Sequence, residues 1–257
     1  MAAKADYIAV IDSGVGGISV LRELVRLMPN ERFLYFGDSA NAPYGTKTPE
    51  QVMAMTEHTV KRLMQRGIKA LVVACNTATA VAIRHLRETY PDFIIIGIEP
   101  AVKPAVQQFP QGAVGIIATP VTLRGDKLKN LIAAYPHPNL HLIPAPGLVE
   151  LVEAGLANSP EMDAFLTTIL QPYRDKLDAL VLGCTHYPFA IPAIRRVLGE
   201  KTVLFDGGAG TARETMRRLE CADLLSQGPG EIVFENSLED PEMIKLCERL
   251  LTEAYDG

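Results

Sequence analysis

Two cysteines lie at the ends of short apolar segments that resemble each other. Cys75 ends the sequence ALVVAC, and Cys184 ends the sequence ALVLGC 109 positions later. A thiol that follows a strand, next to hydroxyl, amide and imidazole groups, lies where its reactivity can be tuned. The polar residues that follow the two cysteines are Asn76, Thr77, Thr185 and His186. Both cysteines are therefore candidates for acid–base or nucleophilic chemistry.

The residues alone leave three interpretations of this cysteine pair open. A single thiolate with His186 as its base would suit a cysteine hydrolase, because a nucleophilic thiol needs such a partner. Two matched thiols suit a different reaction, in which a thiolate removes a proton from one face of a carbon and the opposite thiol returns one to the other face. The third interpretation is a pair of buried thiols without a chemical role. The duplication favours the acid–base pair, because a hydrolase needs only one thiolate.

The two remaining cysteines, Cys221 and Cys247, show neither C-x-x-C pairing nor the spacing of a zinc site. In a reducing compartment all four cysteines should be free thiols. Buried, inert cysteine is the usual role of this residue type outside such motifs. We therefore expect Cys221 and Cys247 to be buried and inert.

A glycine-rich loop at residues 12–17, DSGVGG, follows the first apolar segment. A dinucleotide-binding fingerprint requires a third glycine where this chain has Ser19. A phosphate-binding P-loop requires glycine directly before lysine, whereas Thr46 separates Gly45 from Lys47. The loop instead predicts a tight turn into a helix whose backbone N–H groups face a small anion such as a carboxylate. A small acidic ligand fits this loop better than a nucleotide.

Short apolar segments rich in β-branched residues alternate with longer amphipathic segments along the chain. The helical pattern is clear at residues 18–28 and 49–67. Such apolar strands, separated by helices, predict an α/β fold with parallel sheets covered on both faces. The predicted strands are residues 7–11, 33–36, 70–74, 93–98, 113–118, 140–143, 179–182 and 203–205.

Four of these strands recur in the same order at offsets of 106 to 109 residues. Loose self-similarity of any α/β chain is one explanation of the offsets, and two similar halves are the other. The matched cysteines favour two halves. Ligands of open parallel sheets bind beyond the carboxyl ends of the strands, which is where both cysteines lie.

Composition excludes several classes of partner. The formal net charge is −5, and the chain contains no basic cluster, so nucleic acid is not an expected ligand. The apolar run near the N-terminus is interrupted by Asp12 and is too short for a signal peptide. No run reaches the length of a transmembrane helix, and we expect a cytoplasmic protein without membrane contact.

Five ordered segments give the chain a resemblance to a known family: IAVIDSGVGGISVLREL, YFGDSANAPYGTK, LVVACNTATA, LVEAG and LVLGCTHYP. Together they resemble the glutamate racemases of the cofactor-independent aspartate/glutamate racemase superfamily. The resemblance implies interconversion of L- and D-glutamate for bacterial peptidoglycan synthesis, with neither pyridoxal phosphate nor a metal. It also implies a cytoplasmic homodimer and two pseudo-symmetric lobes, each a flavodoxin-like parallel sheet flanked by helices, with the active site between them. The implied lobes are residues 1–99 plus 207–257 and residues 100–206.

The resemblance also assigns roles to individual residues. It makes Cys75 and Cys184 the two catalytic bases, with Asp12, His186 and Glu153 assisting them. The implied substrate-binding residues are Asp12, Ser13, Pro43, Tyr44, Gly45, Asn76, Thr77, Thr119, Thr185 and His186. Three assignments have simpler alternatives: Asp12 as a helix cap, Tyr44 as a turn residue without ligand, and Glu153 as a solvated helix residue.

The sequence departs from the family pattern at several points. Asn41 stands where the family commonly has arginine, Ala145 replaces a frequent cysteine, and residues 119–127 and 206–208 are unusual. None of these departures involves the paired cysteines. Two further hypotheses remain: a related racemase or decarboxylase for aspartate, a hydantoin or a malonate, and a non-catalytic dicarboxylate-binding protein.

The chemistry of a racemase makes one demand on the fold. The α-hydrogen of an amino acid is a very weak acid, and a thiol with an ordinary pKa of about 8.5 cannot ionise it in water. The site must exclude water and place dipoles where charge develops. The candidate donors are the backbone N–H groups of residues 13–17 and 76–77. A water-free site between lobes predicts a hinge motion for substrate exchange.

Overall fold

A computed structural model describes residues 3–253, which form two parallel β-sheets flanked by helices. The first sheet has five strands and the second has four. Both sheets are parallel throughout, as the apolar strands separated by helices predict. The strands are β1 (Tyr7–Asp12), β2 (Arg32–Gly37), β3 (Ile68–Val73), β4 (Ile94–Gly97), β5 (Val114–Ala118), β6 (Leu140–Pro144), β7 (Ala179–Leu182), β8 (Val203–Asp206) and β9 (Glu231–Asn236).

Helices connect the strands and cover the sheets. Thr48 starts α2 with a capping box, in which its side chain and that of Gln51 exchange hydrogen bonds with backbone N–H groups. The helices are α1 (Ile18–Leu27), α2 (Pro49–Met64), α3 (Asn76–Thr89), α4 (Val102–Gln108), α5 (Pro120–Arg124), α6 (Asp126–Ala134), α7 (Leu148–Glu153), α8 (Pro160–Leu170), α9 (Ile191–Leu198), α10 (Gly208–Cys221) and α11 (Pro241–Thr252).

The two sheets repeat one strand order. The first contains β4-β3-β1-β2 and the second contains β8-β7-β5-β6, which is the flavodoxin-like order in both. The register repeats as well: Ile11 pairs with Val73 in the first sheet, and Ile117 pairs with Leu182 in the second. Ile117 lies 106 residues after Ile11, and Leu182 lies 109 residues after Val73, which are offsets within the range that the sequence repeat shows. The predicted duplication is therefore confirmed.

Strand β9 breaks this symmetry. It pairs with β2 in parallel from Arg32 opposite Glu231 to Gly37 opposite Asn236. The C-terminal part of the chain therefore returns to the first sheet. This strand was not predicted from the sequence, because its segment EIVFEN is short, carries three charged or amide side chains at its ends and is only half-buried. The lobe limits given above stay a prediction.

Alternate residues of β1 face opposite sides of the first sheet. Ile8 and Val10 pack in one apolar cluster, and Ala9 and Ile11 pack in another. The cluster that contains Ile8 also contains Leu182 of β7, so one continuous apolar core reaches from the first sheet to the second. Each fully buried aliphatic side chain of this kind stabilises the fold by about 1.5–3 kcal/mol.

The cysteine predictions had mixed outcomes. All four cysteines are free, and Cys247 is fully buried, as expected. The prediction for Cys221 was wrong, because its side chain is exposed. The buried positions of α10 include Thr211, Thr215 and Leu219, one helical turn apart, and Cys221 lies two residues beyond that stripe. In the part of the chain described here, no helix is both long and apolar enough to cross a bilayer.

Candidate active site

Cys75 and Cys184 follow the equivalent strands β3 and β7, and both side chains are buried. Cys75 is the N-cap of α3, and its sulfur accepts a hydrogen bond from the Ala78 N–H at 3.5 Å. Its thiol donates to Ser13 Oγ at 3.6 Å. Burial, followed by the negative charge of Asp12, raises the pKa of Cys75 to about 12. The Cys75 side of the site is therefore a neutral thiol at neutral pH.

Asp12 ends β1 and connects the two lobes. Its Oδ2 accepts the Gly14 N–H at 3.0 Å, and its Oδ1 accepts the Thr185 hydroxyl at 2.9 Å. Burial raises the pKa of Asp12, although the charge of His186 and these hydrogen bonds oppose the rise. The alternative role of Asp12 as a helix cap does not fit, because the cap of α1 is Gly17 without a side-chain hydrogen bond.

Cys184 has a different partner. His186 lies two residues later, with its Nδ1 3.7 Å from Cys184 Sγ and its Nε2 2.6 Å from Glu153 Oε1. Burial lowers the pKa of His186, but the hydrogen bonds to Cys184 and Glu153 outweigh burial and raise it well above its ordinary value. A protonated imidazole donates from both nitrogens, so this geometry directs one N–H to the carboxylate and the other to the sulfur.

Glu153 ends α7, and its side chain points inward rather than into solvent. Its Oε1 also accepts the Val15 N–H at 2.7 Å, and its Oε2 accepts the Ser39 hydroxyl at 3.4 Å. Burial raises the pKa of Glu153, but the His186 ring and these donors outweigh it, so that the pKa lies below its ordinary value. Glu153 is therefore not a solvated helix residue.

The glycine loop passes directly beneath the second lobe. A Cβ atom on Gly14 would lie 1.8 Å from Glu153 Oε1, and one on Gly16 would lie 2.3 Å from His186 Nδ1. Side chains at these two positions would displace the residues that face the thiols. The N–H groups of Gly14 and Val15 donate to carboxylates, as the loop pattern predicts for an anion, but these carboxylates belong to the protein itself.

The segment that holds Pro43, Tyr44 and Gly45 closes the first-lobe side of the site. Tyr44 is buried, and its hydroxyl donates to Asp38 Oδ2 at 2.6 Å. Burial and this hydrogen bond raise the pKa of Tyr44. A Cβ atom on Gly45 would lie 3.0 Å from Thr119 Cβ, so the segment touches the second lobe here.

Hydroxyl and amide groups line the same junction. Thr77 Oγ1 of the first lobe lies 3.5 Å from Thr119 Oγ1 and 3.4 Å from Thr122 Oγ1 of the second. Asn76 is buried, and its Oδ1 has no hydrogen-bond partner among the described residues. A buried acceptor without a partner suits a ligand that brings a donor, such as an ammonium group.

Contacts between the two lobes involve six of the predicted site residues: Asp12, Gly45, Thr77, Thr119, Glu153 and Thr185. Hydrogen bonds link Ser13, Cys75, Cys184 and His186 to this set, and Pro43, Tyr44 and Asn76 are its neighbours along the chain. The roles of all these residues stay predictions. Sequence reasoning missed four residues that hold the site together: Asp38, Ser39, Thr122 and Asn236. Asp38 and Ser39 lie in the segment GDSANAPYG, in which roles were predicted only for Pro43, Tyr44 and Gly45. Between residues 3 and 253, no group of three His, Cys, Asp or Glu side chains has the arrangement of a metal site.

Comparisons with known proteins show the family to which the chain belongs. The family model for Asp/Glu/hydantoin racemases matches residues 8–215. A glutamate racemase of Clostridium acetobutylicum is 46% identical over 255 residues, which cover 98% of this chain and 99% of its own.

Solved structures show the same likeness. The glutamate racemase of Escherichia coli, in complex with L-glutamate and the activator UDP-MurNAc-ala, has a TM-score of 0.85 at 32% identity and covers 95% of both chains. The glutamate racemase of Francisella tularensis, in complex with D-glutamate, has a TM-score of 0.84 at 28% identity and covers 98% of this chain and 96% of its own.

Two duplicated sheets with a cysteine after the same strand of each, together with these similarities, define the class: the chain belongs to the Asp/Glu/hydantoin racemase family. Within this family the relatives compared above are glutamate racemases, and the chain is an enzyme of that group, an isomerase that acts on an amino acid.

Proposed function

We propose that this enzyme interconverts L- and D-glutamate by proton transfer between two bases, Cys75 and Cys184. The observation that carries the proposal is the equivalent placement of the two thiols, after β3 and β7 of two sheets with matching register. Relatives of 28% and 32% identity bind D-glutamate and L-glutamate. A base on each face of the α-carbon can serve both enantiomers, because either thiol can remove the proton that faces it.

In one direction, the sulfur of Cys184 takes the α-proton as a thiolate, and the electron pair of the C–H bond stays on the substrate as a carbanion. The thiol of Cys75 then delivers its proton to the opposite face of the carbon. The product is the other enantiomer, and the two cysteines have exchanged protonation states. The reverse reaction begins from Cys75 as the thiolate.

The surroundings of the two cysteines suit these starting states. The raised pKa of Cys75 keeps this residue a thiol, the acid of the first direction. His186, protonated between Glu153 and Cys184, places a positive N–H donor on the second sulfur. The substrate ammonium brings a positive charge towards Cys75 and Asp12, which favours ionisation of Cys75 for the reverse direction.

The remaining predicted residues would hold the substrate. We assign Asn76, Thr77 and Thr185 to its charged groups, supported by the buried acceptor of Asn76 and the threonine contacts across the lobes. Ser13, Pro43, Tyr44, Gly45 and Thr119 would complete the wall of the site. Because both cysteines are nearly inaccessible in this closed arrangement, substrate exchange requires the lobes to separate.

The biological assignments follow from the family. We propose that the enzyme supplies D-glutamate for peptidoglycan synthesis in the bacterial cytoplasm, works as a homodimer, and needs neither a metal nor an organic cofactor.

The test is incubation with L-glutamate in D₂O after exhaustive dialysis against a chelator. The proposal predicts D-glutamate that carries deuterium at the α-carbon, observed by chiral chromatography and proton NMR. A panel of L-aspartate, a 5-substituted hydantoin and an aryl malonate, run under the same conditions, separates this function from its relatives. Turnover of one of these compounds with no turnover of glutamate would contradict the proposal.

A further inference from the structure

The carboxylate of Glu153 has a partner on each oxygen. Oε1 accepts the Val15 N–H and faces His186 Nε2, while Oε2 accepts the Ser39 hydroxyl. The Ser39 contact measures 3.4 Å, longer than the usual 2.5–3.0 Å for such a bond. Contacts of this kind in ligand-free sites commonly tighten when the reacting complex forms.

The direction of the Ser39 hydroxyl is set by Asn236, the last residue of β9. Asn236 Nδ2 donates to Ser39 Oγ at 2.9 Å, and Asn236 Oδ1 accepts the Leu238 N–H at 3.0 Å. Because a backbone N–H can only donate, it fixes the amide with its NH₂ towards Ser39. The serine oxygen is thereby an acceptor on one side, and its single proton is left to point at Glu153.

The amide of Asn236 is held in place by packing. Asn236 is buried, and it pairs in register with Gly37 of β2. A Cβ atom on Gly37 would lie 3.0 Å from Asn236 Nδ2, so the amide occupies the space that a side chain would fill. Strand β9 has no counterpart in the second sheet. The contact of Asn236 with Ser39 therefore leads only to Glu153 and His186 on the Cys184 side, and the Cys75 side has no equivalent of it.

We propose that Asn236 is a positioning residue for the Cys184 half of the reaction, acting through Ser39, Glu153 and His186. This inference rests on the proposed two-base function. It makes β9 part of the catalytic apparatus: the strand orients a hydroxyl of the first lobe against a carboxylate of the second, and the carboxylate orients the imidazole on Cys184.

The test uses Asn236→Asp, Ser39→Ala, the double variant, and Ser237→Ala as a control. Asn236→Asp keeps the acceptor for the Leu238 N–H but offers Ser39 a carboxylate, so the serine proton turns away from Glu153. Ser237→Ala removes a different contact of the same junction, from the Ala40 N–H to Ser237 Oγ at 2.9 Å. The readouts are kcat for both enantiomers and the primary deuterium isotope effect on each α-deuterated enantiomer.

We expect Asn236→Asp and Ser39→Ala each to lower kcat about 10-fold, the scale of a hydrogen bond to a charged group. The double variant should fall no further than Ser39→Ala, and Ser237→Ala should stay within about twofold of the wild type. The isotope effect should rise for the enantiomer that Cys184 deprotonates and fall for the other. A residue that merely supports the fold would lower the active fraction and leave both isotope effects unchanged.

Wild-type kcat in Asn236→Asp, or losses that multiply in the double variant, would overturn the inference and leave the two-base function standing. If the wild-type enzyme fails to racemise glutamate, the proposed function falls, and this inference falls with it. Circular dichroism and the unfolding midpoint of each variant, compared with those of Ser237→Ala, identify a folding defect.

Discussion

His186 Nε2 lies 2.6 Å from Glu153 Oε1, although the two residues are 33 positions apart and come from different segments of the second lobe. The same carboxylate accepts a backbone N–H from Val15 of the first lobe. One buried ion pair therefore couples the junction of the lobes to the imidazole that faces Cys184. The two thiols are equivalent in position but differ in their surroundings, since Cys75 faces Ser13 and Asp12 instead.

Replacing either thiol should abolish racemisation. We expect Cys75→Ser and Cys184→Ser each to lower kcat in both directions by about 10²–10⁴-fold, because every turnover uses one thiol as base and the other as acid. Coupled enzyme assays of D- and L-glutamate measure this loss. Cys221→Ser, at an exposed thiol remote from the chemistry, is the control and should keep wild-type activity. Substantial racemisation of glutamate by either active-site variant would be incompatible with the two-base mechanism.

The Glu153–His186 pair should control the alkaline limb of the pH profile. Burial lowers the pKa of His186, but the hydrogen bonds to Cys184 and to the Glu153 carboxylate favour the imidazolium and hold this pKa well above its ordinary value. In Glu153→Gln the negative charge is lost and the pKa of His186 falls, so that activity should decline at a lower pH than in the wild type. The measurement is kcat/KM against pH for both proteins. An alkaline limb that stays in place in Glu153→Gln would show that His186 does not titrate in it.

The glycine at position 14 should be indispensable for activity. A methyl group there would lie 1.8 Å from Glu153 Oε1, and the carboxylate must move away from His186 to admit it. We expect Gly14→Ala to lower kcat by about 10²-fold, the scale of a displacement of about 1 Å in an active site. Gly210→Ala in α10, where an added Cβ meets nothing within 4 Å, is the matched control and should keep full activity. Equal activities of the two variants would contradict this role for Gly14.

A buried ion pair at the opposite end of the first sheet should matter for stability. Lys69 Nζ lies 2.6 Å from Glu31 Oε2, and the two side chains are 0% and 2% exposed. Lys69→Met would leave the Glu31 charge buried without its partner, and we expect it to lower the free energy of unfolding by about 3–5 kcal/mol. Lys245→Met, which breaks an exposed pair with Glu242, should change it by less than about 1 kcal/mol. Urea denaturation measures both, and equal values would contradict the prediction.

The sequence predicted the α/β class and the eight repeated strands, because their apolar segments are short, β-branched and bounded by turns. It could not predict β9, whose half-buried residues pair with β2 only after the chain has crossed to the second lobe and returned. Asn236 was missed for the same reason. The inward position of Glu153 follows from the end of α7 meeting the loop of the first lobe, a contact that no local pattern encodes.

The partners of the thiols were predictable to different degrees. His186 was found because it lies two residues from Cys184, whereas the assignment of Asp12 to Cys75 came from the resemblance to the racemase family. Asp38 received no role, although it accepts the Tyr44 hydroxyl, because a residue that orients another side chain carries no motif of its own. The exposure of Cys221 was missed because the general tendency of cysteine to be buried does not tell which side of α10 faces the core.

The most direct test of the two-base mechanism separates its two half-reactions. A glutamate with chlorine on the β-carbon needs only removal of the α-proton, after which chloride leaves and no thiol has to return a proton. We would measure chloride release from both α-enantiomers of this compound by Cys75→Ser and by Cys184→Ser. The two-base mechanism predicts that each variant processes a single enantiomer and that the two variants have opposite preferences. Release from the same enantiomer by both variants would contradict it.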